Sequence, residues 1–194
     1  MIRSFRARAG LLVTIACVAG AACRLRRPDT IPVRMIEPQL VEPPQRETDA
    51  VNATPVRLLE TQAREHIGRR LLVRQPSGEL TEDPIWRWSS PPERYLDTAL
   101  RLELASSPLV RLVEASSASV LSATLLVWDL ESSGTQLVGS VEFQFIGADR
   151  VVHTHVVRTI EPVSAELPGD LAAAAGRLLG RLASEGLRRA LGAQ

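Results

Sequence analysis

The stretch from Val120 to Ile160 constrains the fold most. Val120–Leu130 is nearly continuous in apolar residues, with Trp128 near its end, the composition of a central strand covered on both faces. Leu137–Ile146 then alternates, with Leu137, Gly139, Val141, Phe143 and Phe145 on one side and Ser140, Glu142 and Gln144 on the other, which is the period of a half-buried strand. Gly147-Ala148-Asp149 turns the chain, and Val151–Ile160 returns as hairpin partner. A turn with an even number of residues would set His153 opposite Gln144 and His155 opposite Glu142, and would put Val152 and Val156 on the apolar face. This run needs a layer to lie against, and the C-terminal segment supplies one. Leu171, Ala175, Leu178, Leu182, Gly186 or Leu187, and Leu191 form one stripe of a helix from about Pro168 to Leu191, with Arg177, Arg181, Glu185 and Arg188 outside it.

Upstream, Ile31–Val41 suits a first strand that Pro32 and Pro38 confine to an edge. Glu42–Thr54 is a polar connection, and Val56–Ile67 fits a short helix or a strand plus loop. Leu71–Val73 and Leu80–Trp88 read as strands joined by the turn Gln75-Pro76-Ser77-Gly78. A helix is expected to start after Ser89, with Ser90 as cap, Pro91 in the first turn and Glu93 completing a capping box. It runs to about Ser106 before Pro108. Two main helices on one face of a mostly antiparallel sheet, an α/β layered sandwich, bury this pattern most simply.

The N-terminus is of a different kind. Arg3, Arg6 and Arg8 precede an uncharged apolar run, Leu11–Ala22, that is too short to span a bilayer, which takes about 20 residues. It ends in Ala19-Gly20-Ala21-Ala22-Cys23, which resembles a bacterial lipobox with Gly20 where an aliphatic residue is usual. Residues 1–22 therefore read as a lipoprotein signal peptide, 23–30 as a lipidated tether carrying Arg24, Arg26 and Arg27, and 31–194 as the domain. Cys23 is the acylation site. Ordinary cleavage after Ala19-Gly20-Ala21, or an uncleaved anchor, are the competing readings. The signal takes three of the 23 basic residues and none of the 22 acidic ones, so the mature chain has a formal charge of −2. That balance argues against a nucleic-acid partner. Cys17 leaves with the signal and Cys23 is acylated, so no thiol remains for a disulfide or a thiolate metal site. Stability must come from the core.

Motifs that carry chemistry are sparse. The sequence holds no GxSxG, HExxH, P-loop or helix-opening GxGxxG, and neither an enzymatic activity nor a cofactor is expected. His153 and His155 point to one face of their strand and, with Glu142, could hold Zn, although a solvated polar face explains them as well. Trp86 and Trp88 flank Arg87 just before the helix start. They suit a partner contact or burial under that helix. Because 86 and 88 share a face, a sheet should bury both or present both, and burial would leave Arg87 as the exposed member.

The segments Arg69–Arg74, Trp86–Pro92 and Ala99–Leu104, in that order between a lipobox and a final Ala/Leu-rich helix, resemble the ABC-type transport auxiliary lipoprotein family, whose best-known branch is PqiC-like. The resemblance implies a fold related to the N-terminal domain of TolB. It also implies a non-catalytic role beside an ABC permease, its ATPase and an MCE-domain substrate-binding protein in envelope lipid or hydrophobic-compound traffic. It brings no catalytic residues. Arg24 follows the cysteine, where Asp commonly retains lipoproteins in the inner membrane of enteric bacteria, so the expected site is the periplasmic face of the outer membrane. A homo-oligomer is compatible with the sequence. A pilotin or assembly factor, or a periplasmic metal-dependent enzyme, are the alternative functions.

Overall fold

The structure, a computed structural model, describes residues 32–44, 53–164 and 169–192. The export segment, Cys23 and the tether to residue 30 lie outside the described residues. The organising element is a long strand, β7 (Ser119–Glu131), paired on both sides. On one side three short strands lie end to end along it, all parallel: β2 (Thr54–Leu58), β3 (Gln62–Ala63) and β4 (Arg70–Arg74). The stretch at 56–67 is thus strand plus loop: Val56–Leu58 and Gln62–Ala63 pair with β7, and Ile67 is buried from a turn. On the other side β8 (Gln136–Ile146) and β9 (Val152–Pro162) continue the sheet in long antiparallel ladders. β5 (Leu80–Trp88) runs antiparallel to β4, β1 (Arg34–Ile36) lies parallel to β5, and β6 (Val110–Leu112) flanks β2. The result is one open, mixed, nine-stranded sheet.

A single irregularity in β7 sets which side chains enter the core. The register against β8 shifts between Leu125 and Val127. Before the shift Leu121, Ala123 and Leu125 face inward; after it Trp128 and Leu130 do. One extra residue at a bulge reverses the alternation, so Trp128 turns in opposite Gly139. A side chain at Gly139 would meet Leu178 and Leu182 within 3.0 Å, so the missing Cβ lets the helix settle onto the sheet.

Two helices, α1 (Pro92–Ser106) and α2 (Gly169–Gly192), pack against each other and against the sheet. Leu96, Leu100 and Leu104 of α1 and Leu171, Leu178, Leu179 and Leu182 of α2 are fully buried. This is the layering expected from the sequence. The start of α1 differs in detail: Pro91 is the cap residue, Pro92 opens the helix, and no side chain caps it. Ser90 does not close a capping box because its N–H goes to the Tyr95 hydroxyl, 2.7 Å away.

Residues 37–44 cross the outer side of α2 as a strap. Gln39 N–H donates to Ala172 O at 3.0 Å, and Gln39 O lies where a Cβ on Gly176 would stand, 1.8 Å from its position. Gly176 is therefore a requirement of close backbone approach. Among the described residues, no helix is long and apolar enough to cross a membrane.

The two remaining interior glycines of α2 make opposite predictions. A Cβ at Gly186 would lie 2.2 Å from Phe143, a fully buried ring, whereas one at Gly180 meets nothing within 4 Å. Gly186→Ala should lower stability by about 1–3 kcal/mol through overpacking. Gly180→Ala should raise it by up to about 1 kcal/mol through helix propensity. Chemical unfolding of the two variants checks this, and a shift of both in the same direction would contradict the packing described.

Candidate functional site

The sequence candidates fall at opposite edges of the sheet, one group on β1 and β5, the other on β8 and β9. At the first edge β5 carries a bulge. Arg70 pairs with Arg87 but Leu72 pairs with Glu82, so β5 spends three more residues than β4 between the two pairs. Asp83 pins the excursion, its Oδ1 accepting the N–H of Ile85 at 2.8 Å and of Trp86 at 2.9 Å. Beyond the bulge, β1 pairs with β5 in the register Arg34 to Trp86, Met35 to Arg87 and Ile36 to Trp88.

That register separates the two tryptophans. Trp88 is completely buried and packs against Trp128, ring centroids 5.4 Å apart and planes tilted by 58°. Trp86 is half-buried at the rim, with the Arg34 guanidinium 5.5 Å over its ring, within cation–π range. The expectation that both would be buried or both presented is corrected: they share a side of the strand, but Trp88 lies inside the core beside buried Ile36, whereas Trp86 packs at its margin beside exposed Arg34. Arg87 is half-buried between Met35 and Arg70 in a row across three strands.

The second edge corrects the hairpin register. Ile146 pairs with Val152, leaving five residues in the turn, with Arg150 in the left-handed region at φ 62°. This odd number places His155 opposite Phe143 and His153 opposite Phe145, with Glu142 opposite Val156. The histidines therefore face the helix layer, while Glu142 lies on the open face bonded to Gln144 at 3.1 Å. The three do not converge on one point. Val152, Val156 and Ile160 stand on the open face at 55, 47 and 43% exposure, opposite to the expected apolar side.

Partners on α2 explain why this register wins. His155 stacks on Phe143 at 5.6 Å and its Nε2 lies 3.1 Å from Gly186 O. Farther along β9, Glu161 is 1% exposed and takes Arg177 Nε at 3.0 Å and Arg181 Nε at 2.9 Å. A buried carboxylate held by two guanidiniums is costly to leave unpaired, and the even register would have turned it away from both.

Sequence reasoning missed two further features. Tyr95, 7% exposed, ties three segments together: its hydroxyl accepts the Ser90 N–H, contacts the Ser89 hydroxyl and donates to Glu37 Oε2 at 3.1 Å. The second is Asp129, 1% exposed, which receives Arg74 Nε at 3.2 Å and Nη2 at 2.6 Å and so locks β4 to β7. The Arg74 guanidinium is pushed above its ordinary pKa, chiefly by this hydrogen bond and, against desolvation, by the charge of Asp129. For Asp129 the sequence signal was a polar residue at the end of an apolar run, which does not name its partner, and for Tyr95 there was none beyond an aromatic residue in the first turns of a helix. A cleft of about 610 Å³ opens between the C-terminal halves of α1 and α2, lined by Pro43, Pro44, Leu109, Leu187, Arg188 and Leu191 among others.

The split between the tryptophans is testable. Trp88→Ala should cost about 3–5 kcal/mol as a large buried deletion, whereas Trp86→Ala should cost well under half as much because the ring is already partly in water. Denaturant titration of both variants decides it, and equal losses would refute the placement of Trp86 at the rim.

Against known proteins the likeness is one of fold. No family model matches the chain, and no curated protein does. Among solved structures, the protein XCC0632 from Xanthomonas campestris, described as DUF330, superposes with a TM-score of 0.66 at 18% identity, covering 83% of this chain and 97% of that one. The hypothetical protein CT253 from Chlamydia trachomatis gives 0.54 at 12% identity, covering 72% and 96%. A minor lipoprotein from Acinetobacter baumannii gives 0.40 at 12% identity, covering 72% and 94%. The chain thus spans nearly the whole of each, and with the first two it shares the fold.

Proposed function

We propose that this chain is a periplasmic lipoprotein, held to the outer membrane by an acylated Cys23, that acts as a non-catalytic auxiliary subunit of an ABC and MCE-type envelope transport system for lipids or other hydrophobic compounds. The observation that carries the reading is the order of features in one chain. An export segment ends at Cys23, a basic tether follows, and the domain carries the segments at 69–74, 86–92 and 99–104 in the sequence of the auxiliary lipoprotein family.

The geometry is in keeping with an adaptor. The anchored end of the chain enters the sheet at β1, and the opposite edge, β9, presents Val152, Val156 and Ile160 on an open face. An exposed edge strand with apolar side chains is a ready surface for pairing with another chain. On this reading the MCE-domain protein or the permease is the partner and the fold supplies a rigid spacer.

Replacing Cys23 with Ser should release the protein from the membrane fraction into the periplasmic extract, because the acyl chains supply most of the membrane affinity. In a density gradient the unaltered protein should sediment with outer-membrane markers. Membrane association that survives Cys23→Ser would refute the anchor; banding with inner-membrane markers would refute only the sorting.

A further inference from the structure

We propose that the β1 edge, with Val33, Met35, Arg34, Trp86 and Arg87, is a second membrane contact that lays this edge of the sheet on the anionic lipid surface next to the acylated Cys23. The inference rests on the lipid anchor proposed above and adds an orientation to it.

Three observations point to a bilayer as the occupant. The first is the length of chain and where it ends. Nine residues separate Cys23 from Val33, a link that reaches at most about 35 Å, and the first residues it delivers are an exposed apolar pair, Val33 at 44% and Met35 at 54%. The second is the outer side of β1: among the described residues this strand pairs with β5 alone. The third is the chemistry around that pair. On one face of the edge Met35 lies beside Arg87 across the strands, while Arg70, the next residue in that row, is ion-paired with Glu82. Arg34 sits over the half-buried ring of Trp86.

This combination suits an interface between hydrocarbon and headgroups. Val and Met insert shallowly, a tryptophan at the rim takes the headgroup level, and arginines bury their stems while presenting charge to phosphate. A patch this small would bind vesicles weakly on its own, but attachment a few residues away makes the encounter intramolecular and raises its effective concentration. Since β1 and β9 end the sheet at opposite edges, a β1 edge resting on lipid would direct Val156 and Ile160 away from the bilayer, where a partner can reach them.

The test uses full-length acylated protein purified from its membrane and reconstituted into phosphatidylethanolamine and phosphatidylglycerol vesicles. Met35→Cys carries an environment-sensitive fluorophore, with Val156→Cys as the control at the far edge. Both positions are exposed, and an unchanged circular dichroism spectrum and melting temperature verify the fold of each variant. The expected result is a protein that floats with the vesicles and a label at 35 that loses its quenching by an aqueous quencher, while the label at 156 stays fully quenchable. Flotation with equal quenching at both positions overturns the contact and leaves the anchor standing. Failure to float overturns the anchor and the contact together. Shielding of position 35 only in native membranes, and never on protein-free vesicles, assigns the edge to a protein partner and also overturns the proposal.

Discussion

Everything in this fold depends on β7 being paired along both sides. A thirteen-residue strand that is largely buried is expensive to leave unpaired on either side, since each unpaired backbone group away from water costs about as much as a lost hydrogen bond. The chain solves this asymmetrically. β8 returns directly as a hairpin and covers one side, while the other is covered by three pieces of a single segment, 54–74, that must already be extended alongside it. Those parallel pairings are long-range in sequence, and such contacts form only after the chain between them has been closed into a loop. The hairpin of β7 with β8 is therefore the natural platform on which the N-terminal half of the sheet assembles.

The platform also explains the polar contacts buried at its margins. Asp129 with Arg74 joins β4 to β7, Glu161 with Arg177 and Arg181 joins β9 to α2, and Tyr95 with Glu37 joins α1 to the strap. Each sits where two elements meet. The arginine side chains of the first two remain 36–62% exposed, so these ion pairs are better understood as devices of specificity than as large sources of stability.

How much of this was legible in the sequence follows from the same physics. Strands whose apolar residues alternate, such as 137–146, and the helix with a full stripe at 168–191 were readable because their local period reports the face they bury. The β9 register was not, because Val152, Val156 and Ile160 imitate an inward face while the true inward positions hold His153, His155 and Glu161, whose partners come from a helix far along the chain. Trp86 and Trp88 were correctly placed on one side of a strand, yet their different burial goes with the β1 residues beside them, Arg34 and Ile36, and with a bulge held by Asp83, none of which has a local signature. The strap across Gly176 was hidden for the same reason: a glycine in a helix does not name the backbone that crosses it.

An adaptor is defined by what it holds, and the candidate edges described here gain meaning only through a partner. The most direct measurement is to isolate the full-length protein from its native membrane in mild detergent after brief cross-linking and to identify what is attached to it by mass. The account predicts an MCE-domain protein, or the permease and ATPase of the same system, linked through the β9 edge. Recovery of the protein joined instead to a secretion channel or an outer-membrane assembly machine would contradict it.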